Sequence, residues 1–211
     1  MIIPLEKIIK DYNLKIRGVI HIGAHHGQEY QDYVNAGIEE MIFFEPVMSN
    51  FKRLLDTVPR TSNVRVYNLA LGSEVGKMDM YIETANQGQS CSLLEPGTHL
   101  DMYPHIKFPT KETVNVERLD NIPLDIHLYN MINIDIQGFE LEAFKGATMT
   151  LEYIDYVYAE VNTEEVYKGC ALVGEIDAFL SEYGFERVLT CFPKRTPQEC
   201  YPWGDALYIK K

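Results

Sequence analysis

The chain has 211 residues, with 31 Asp and Glu against 19 Lys and Arg, so its net charge is −12. That balance works against a nucleic-acid backbone, an anionic membrane or a strongly anionic substrate as partner, because each needs a basic face. A hydrophobic fraction of 46% supports one sizeable core, and no apolar run reaches the ~20 residues of a membrane span.

At roughly 150 residues per domain, a single domain over 1–211 is expected. The lead-in is helical, and residues 84–112 form a long loop. Cys91, Cys170, Cys191 and Cys200 have neither CxxC spacing nor the density of a disulfide framework. The N-terminal residues lack a signal-peptide pattern, so a reduced, cytoplasmic setting is expected. The chain is also compatible with being one domain of a larger polypeptide.

Leu5, Ile8 and Ile9 at helical spacing predict a leading helix over 4–14. A short apolar strand over 18–22 then runs into the glycine-bearing turn Gly23-Ala24-His25-His26-Gly27, and a helix opens near Gln28 and continues to 36. Glycine suits such a turn because the backbone must reverse tightly and let another group approach without a Cβ. A second strand, 40–44, ends on Glu45 and is stopped by Pro46. Ser49 or Asn50 is the expected cap of the helix carrying Phe51, Leu54 and Leu55.

Strand 64–69 follows, then a half-exposed strand over 77–82, read from its polar-apolar alternation. The 84–112 stretch has no sustained period and contains Gly88, Pro96, Gly97, Pro104 and Pro109. A loop of that length is usually functional or mobile, and a cover over a substrate is the reading adopted. His99, Tyr103 and His105 lie in it. Strands at 113–118, 129–135 and 154–161, a helix at 173–183 and strands at 186–192 and 205–210 complete the chain. The βαβαβ alternation with a terminal strand pair predicts a doubly wound, mainly parallel α/β sheet with an antiparallel edge strand.

The ordered stretches VIHIGAHHG, IFFEPV, VYNLALG, Val116-Glu117-Arg118-Leu119-Asp120, INIDIQGFELEAFKGA and YVYAEVN resemble the FkbM-like family of class I S-adenosylmethionine-dependent methyltransferases. The resemblance covers residues 18–162. It implies a Rossmann-like seven-stranded sheet whose strand ends hold S-adenosylmethionine, and methylation of a hydroxyl, often on a sugar or polyketide. On this reading His21, Gly23, Ala24, Gly27, Glu29, Glu45, Pro46, Asn68, Ala70 and Asp135 bind the cofactor, with Glu45 accepting the ribose diol. The family usually carries acids where this chain has His21 and Gln137.

GAxxG omits the middle glycine through which a dinucleotide pyrophosphate approaches, which favours S-adenosylmethionine over NAD. Candidate bases for a hydroxyl are His25, His26, Asp135 and Glu160. Asp135 and Glu160 with one histidine would offer hard ligands to a divalent cation such as magnesium or manganese; no ligand spacing such as HxxxH marks the site, so no residue is assigned as a metal ligand and a divalent metal stays a secondary expectation. The reading is an O-methyltransferase for a small neutral acceptor, a sugar or glycan. Its competitors are a catalytically silent cofactor-binding module of a glycan-assembly protein and an NAD-dependent nucleotide-sugar oxidoreductase.

Overall fold

The computed structural model describes residues 1–211. In order they form α1 (Leu5–Tyr12), β1 (Gly18–Ile22), α2 (Tyr30–Asn35), β2 (Glu40–Phe44), α3 (Met48–Thr57), β3 (Val64–Tyr67), β4 (Ala70–Leu71), β5 (Gly76–Ile82), α4 (His99–Met102), β6 (Thr110–Glu117), β7 (Met131–Ile134), α5 (Glu140–Lys145), α6 (Thr148–Leu151), β8 (Tyr156–Asn162), α7 (Val173–Ser181), β9 (Phe185–Cys191) and β10 (Trp203–Lys210).

Seven strands make the main sheet in the order β3-β2-β1-β7-β8-β10-β9. The first five are mutually parallel, and β10 runs antiparallel between β8 and β9. Strands covered on both faces read as continuous apolar runs, and β1 and β7 are buried throughout. Their side chains alternate between two cores. Ile20, Ile22, Ile132 and Ile134 pack with Phe144 of α5, Leu151 of α6 and Ile176 of α7. Val19 and Met131 pack with Leu5 of α1, Tyr33 of α2 and Leu54 of α3. The sheet is therefore doubly wound, and no helix is long and apolar enough to cross a membrane.

Because β2 and β3 lie on one side of β1 and β7 on the other, strand order reverses between β1 and β7. In open α/β sheets ligands collect at the carboxyl ends of the strands flanking such a reversal. Here those ends carry Gly23 and Asp135.

A second sheet, β4-β6-β5, is not apparent from the sequence. The strand expected over 64–69 breaks because the Asn68 amide donates to the carbonyls of Glu45 and Pro46 at 2.9 and 2.8 Å. The chain then restarts as β4 alongside β6. The expected cap of α3 is also corrected. Val47 occupies the N-cap without a side-chain bond, while Asn50 lies inside the helix and faces the His26 ring at 3.2 Å. The long loop is shorter than expected and contains α4; β6 begins at Thr110.

Asp120 fastens the chain before β7 to α6. Its carboxylate accepts the backbone N–H groups of Met149 and Thr150 at 3.0 and 2.9 Å and the hydroxyls of Thr148 and Thr150. Asp120→Ala is expected to destabilise the fold by about 1–2 kcal/mol, the usual range for removing a helix-capping side chain. Chemical denaturation checks this; an unchanged midpoint would show that the cap contributes nothing.

Candidate active site

Gly23 has φ +84°, and a Cβ built there would lie 1.9 Å from the carbonyl oxygen of Asp135. The glycine is therefore required by the close approach of the two strand ends. Gly27, at φ +77°, is seated against Leu54 and Val58 of the α3 segment, and Ala24 is buried in the same core.

Glu45 is 4% exposed. Its two oxygens accept the N–H of Val47 at 2.8 Å and of His25 at 2.9 Å. Burial pushes its pKa up to about 8, against the pull of those two donors and of the Asn50 side chain. Its neighbours line two cavities, with Gly23 shared by both. The smaller, about 20 Å³, is an apolar slot formed by Pro46, Leu69, Ala70, Leu71 and Phe139 and closed by Met80 and Leu93. The slot has room for about one water. Lining side chains must therefore shift to admit a flat aromatic ring, and the unbranched Met80 is the most adaptable of them.

The larger cavity, about 510 Å³, includes Glu29, Asp135, Glu160 and Asp205 in its wall and has no Lys or Arg there. Gln137 bridges two of these acids, with its amide nitrogen 2.7 Å from Asp135 Oδ1 and 2.9 Å from Glu160 Oε2. Asp135 is exposed into the cavity, with protein on its other sides. Burial raises its pKa, opposed by the Gln137 hydrogen bond and reinforced by Asp205. Burial, then repulsion from Asp135 and Glu140, raises Glu160 well above the usual carboxylate range. One carboxylate oxygen from each of Asp135, Glu140 and Glu160 lies within 4.8 Å of the others. The metal-site expectation changes accordingly: the third member of the cluster is Glu140 rather than a histidine.

The histidines separate by role. His25, at φ +49°, has its Nε2 2.8 Å from the Gln87 carbonyl and its Nδ1 2.7 Å from the Gln28 amide. Those partners assign the Nε2–H tautomer and occupy its one lone pair. His25 therefore holds the 83–91 segment against the glycine turn and has no free lone pair with which to act as a base. His26 stacks on His25 with ring centroids 3.6 Å apart and does not line the large cavity. His21 lines it, but burial pushes its imidazole down to about 4, so it is neutral there. Its Nδ1 meets the Tyr33 hydroxyl at 3.2 Å, and Asn133 donates to that hydroxyl at 2.6 Å.

Glu29 also lines the cavity, paired at 3.2 Å with the Met1 amine. Asn68 is a backbone clamp, while Pro46 and Ala70 line the apolar slot. Sequence reasoning missed Asp205, Asn133 and Tyr167, all in the cavity wall. Asp205 arrives on the antiparallel β10, whose register sets it opposite Glu160. No local pattern announces that pairing.

A family model described as the methyltransferase FkbM domain matches residues 21–187. The chain belongs to this family. The family is one of methyltransferases, not of NAD-dependent oxidoreductases. The 2-O-methyltransferase NoeI of Sinorhizobium fredii is 23% identical over 159 residues, covering 72% of this chain and 65% of that protein. This chain therefore matches slightly less than two thirds of that relative's length.

Among solved structures, the magnesium protoporphyrin IX methyltransferase ChlM of Synechocystis superposes with TM-score 0.54 at 10% identity, over 98% of this chain and 76% of that one. PH1948 of Pyrococcus horikoshii gives 0.53 at 13% identity, over 98% of this chain and 81% of that one. At these identities the likeness shows the Rossmann-like methyltransferase fold alone.

Proposed function

We propose that the chain is an O-methyltransferase acting on a hydroxyl of a neutral acceptor, a sugar or glycan, and that it works as one methyltransferase domain with the loop between β5 and β6, residues 83–109, as cover. The observation that carries this reading is the 510 Å³ cavity beyond Gly23, lined by four carboxylates together with amides, histidines and aromatic side chains, with no Lys or Arg and with its one amine, that of Met1, paired to Glu29. An anionic acceptor would be repelled there, whereas a polyhydroxylated one finds acceptors for its hydroxyl protons. The name of the NoeI relative, a 2-O-methyltransferase, supports a hydroxyl as the nucleophile.

When bound, S-adenosylmethionine supplies a methyl group on a cationic sulfur. Glu45 would hold its ribose and the slot around Pro46, Ala70 and Phe139 its adenine. Among the protein's own groups, Asp135 and Glu160 are the candidates to accept the hydroxyl proton. Burial raises both carboxyls, so the ionised form of either is a stronger proton acceptor than an exposed carboxylate. The remaining contribution is alignment of the hydroxyl with the methyl, which yields much of the rate in such a displacement.

The test is transfer of labelled methyl from S-adenosylmethionine to a panel of neutral saccharides, uronic acids and phosphorylated sugars. Label is expected on neutral saccharides. Label only on anionic acceptors, or on no saccharide while the cofactor binds, would overturn the reading.

A further inference from the structure

The hydrogen bonds around Gln137 do not balance. The hydroxyl of the buried Tyr167 lies 3.0 Å from the Ser90 carbonyl and 2.8 Å from Gln137 Oε1. Both partners are acceptors only, and a tyrosine has one proton to give. Turning the Gln137 amide by half a rotation repairs this. Its NH2 then donates to Tyr167, and Tyr167 donates to Ser90. The turn places the amide oxygen where the nitrogen now stands, 2.7 Å from Asp135 Oδ1 and 2.9 Å from Glu160 Oε2.

Three oxygens at that spacing repel one another unless a cation lies between them. They also match the edge of an octahedron of oxygens at 2.0–2.1 Å from a small divalent ion, about 2.9 Å. An independent sign comes from Glu140, which contributes an oxygen to the same cluster. It is 0% exposed. Its Oε1 takes the N–H groups of Ile136 and Gly138 at 2.9 and 3.1 Å, while its buried Oε2 has no partner at all. A buried carboxylate oxygen without a donor or cation is costly.

We propose that Asp135, Gln137 and Glu160, backed by Glu140, form a binding site for a small divalent cation, magnesium or manganese, at the wall of the large cavity. Gln137 is its switch: the amide presents NH2 to the two acids when the cation is absent and its carbonyl oxygen when the cation is bound. Hard carboxylate and carbonyl ligands select such ions over softer metals. A hydroxyl entering the cavity can complete the coordination, which lowers its pKa. That last role rests on the methyl-transfer reading; the cation site does not.

The test uses the full chain and Mn2+, followed by the loss of the free-ion signal in electron paramagnetic resonance, with Mg2+ as competitor. One Mn2+ per chain is expected, displaced by Mg2+. Glu160→Gln is expected to weaken binding about tenfold or more. Gln137→Met, which keeps the side chain's size and neutrality but lacks the carbonyl, is expected to weaken it similarly, and Gln137→Glu to tighten it. Gln137→Met changes no charge, so it keeps the test open if an acid variant fails to fold. No bound Mn2+ at millimolar concentration would overturn the site. Wild-type binding by Gln137→Met would overturn the switch. An inactive protein that still binds Mn2+ in this pattern would count against the acceptor reading and leave the cation site standing.

Discussion

Glu45→Ala is expected to weaken S-adenosylmethionine binding by about 1–3 kcal/mol, the cost of losing charge-assisted hydrogen bonds from two ribose hydroxyls. That is roughly a 5- to 150-fold rise in Kd. Isothermal titration calorimetry reads it directly, and wild-type affinity would show that the ribose lies elsewhere. The same residue sets a pH dependence. In the free protein burial raises the Glu45 carboxyl to about 8. Two more donors from the ribose favour the ionised form, so its pKa falls on binding. Between the two values the complex holds fewer protons than the free protein. Affinity should therefore rise with pH up to about 8 and then level off. Titrations near about pH 6.5 should release a proton and those near about pH 8.5 far less of one, and Glu45→Gln should abolish the difference. Affinity that falls across this window would contradict the assignment.

Gly23→Ala is expected to be the most damaging single substitution in the site, at about 3 kcal/mol or more. A left-handed φ costs an L-residue about 1–2 kcal/mol, and the added methyl would sit 1.9 Å from the Asp135 carbonyl oxygen. Backbone must therefore move on one of the two strands that build the reversal. For a chain of this size that corresponds to a melting-temperature drop of roughly 10 °C. Gly27→Ala should cost less. Its new methyl meets the side-chain tips of Leu54 and Val58, which can turn aside. Thermal melts of the two variants check the ranking. A Gly23→Ala protein that melts with the wild type would mean that the strand ends do not touch.

The main sheet was legible because its central strands are short continuous apolar runs ending in Gly, Pro or an acid, and β1 and β2 begin and end where their patterns do. The register of β10 was not. Its insertion between β8 and β9 depends on contacts across the whole chain, and with it came Asp205. The second sheet escaped because β4 is two residues long, too short to show a period. Gly23 was legible as a turn glycine, but its reason lies in the Asp135 backbone 112 residues away, which periodicity cannot supply. His25 and His26 were reasonable candidate bases as residue types. That His25 lines the large cavity with both ring nitrogens already partnered, and that His26 turns toward Asn50, is visible only in the fold. Gln137 stood out as a departure from the acid usual at that position; its place between two carboxylates needed the fold.

On the proposed function, the glycine turn, Glu45 and the acidic cavity form one continuous methyl-transfer site. A crystal structure with S-adenosylhomocysteine tests it most directly. Adenine should occupy the slot of Pro46, Ala70, Leu71 and Phe139 with lining side chains shifted, the ribose hydroxyls should reach Glu45, and the sulfur should open toward Asp135 and Glu160. A ligand whose ribose does not touch Glu45, or whose sulfur faces away from that cavity, would contradict it.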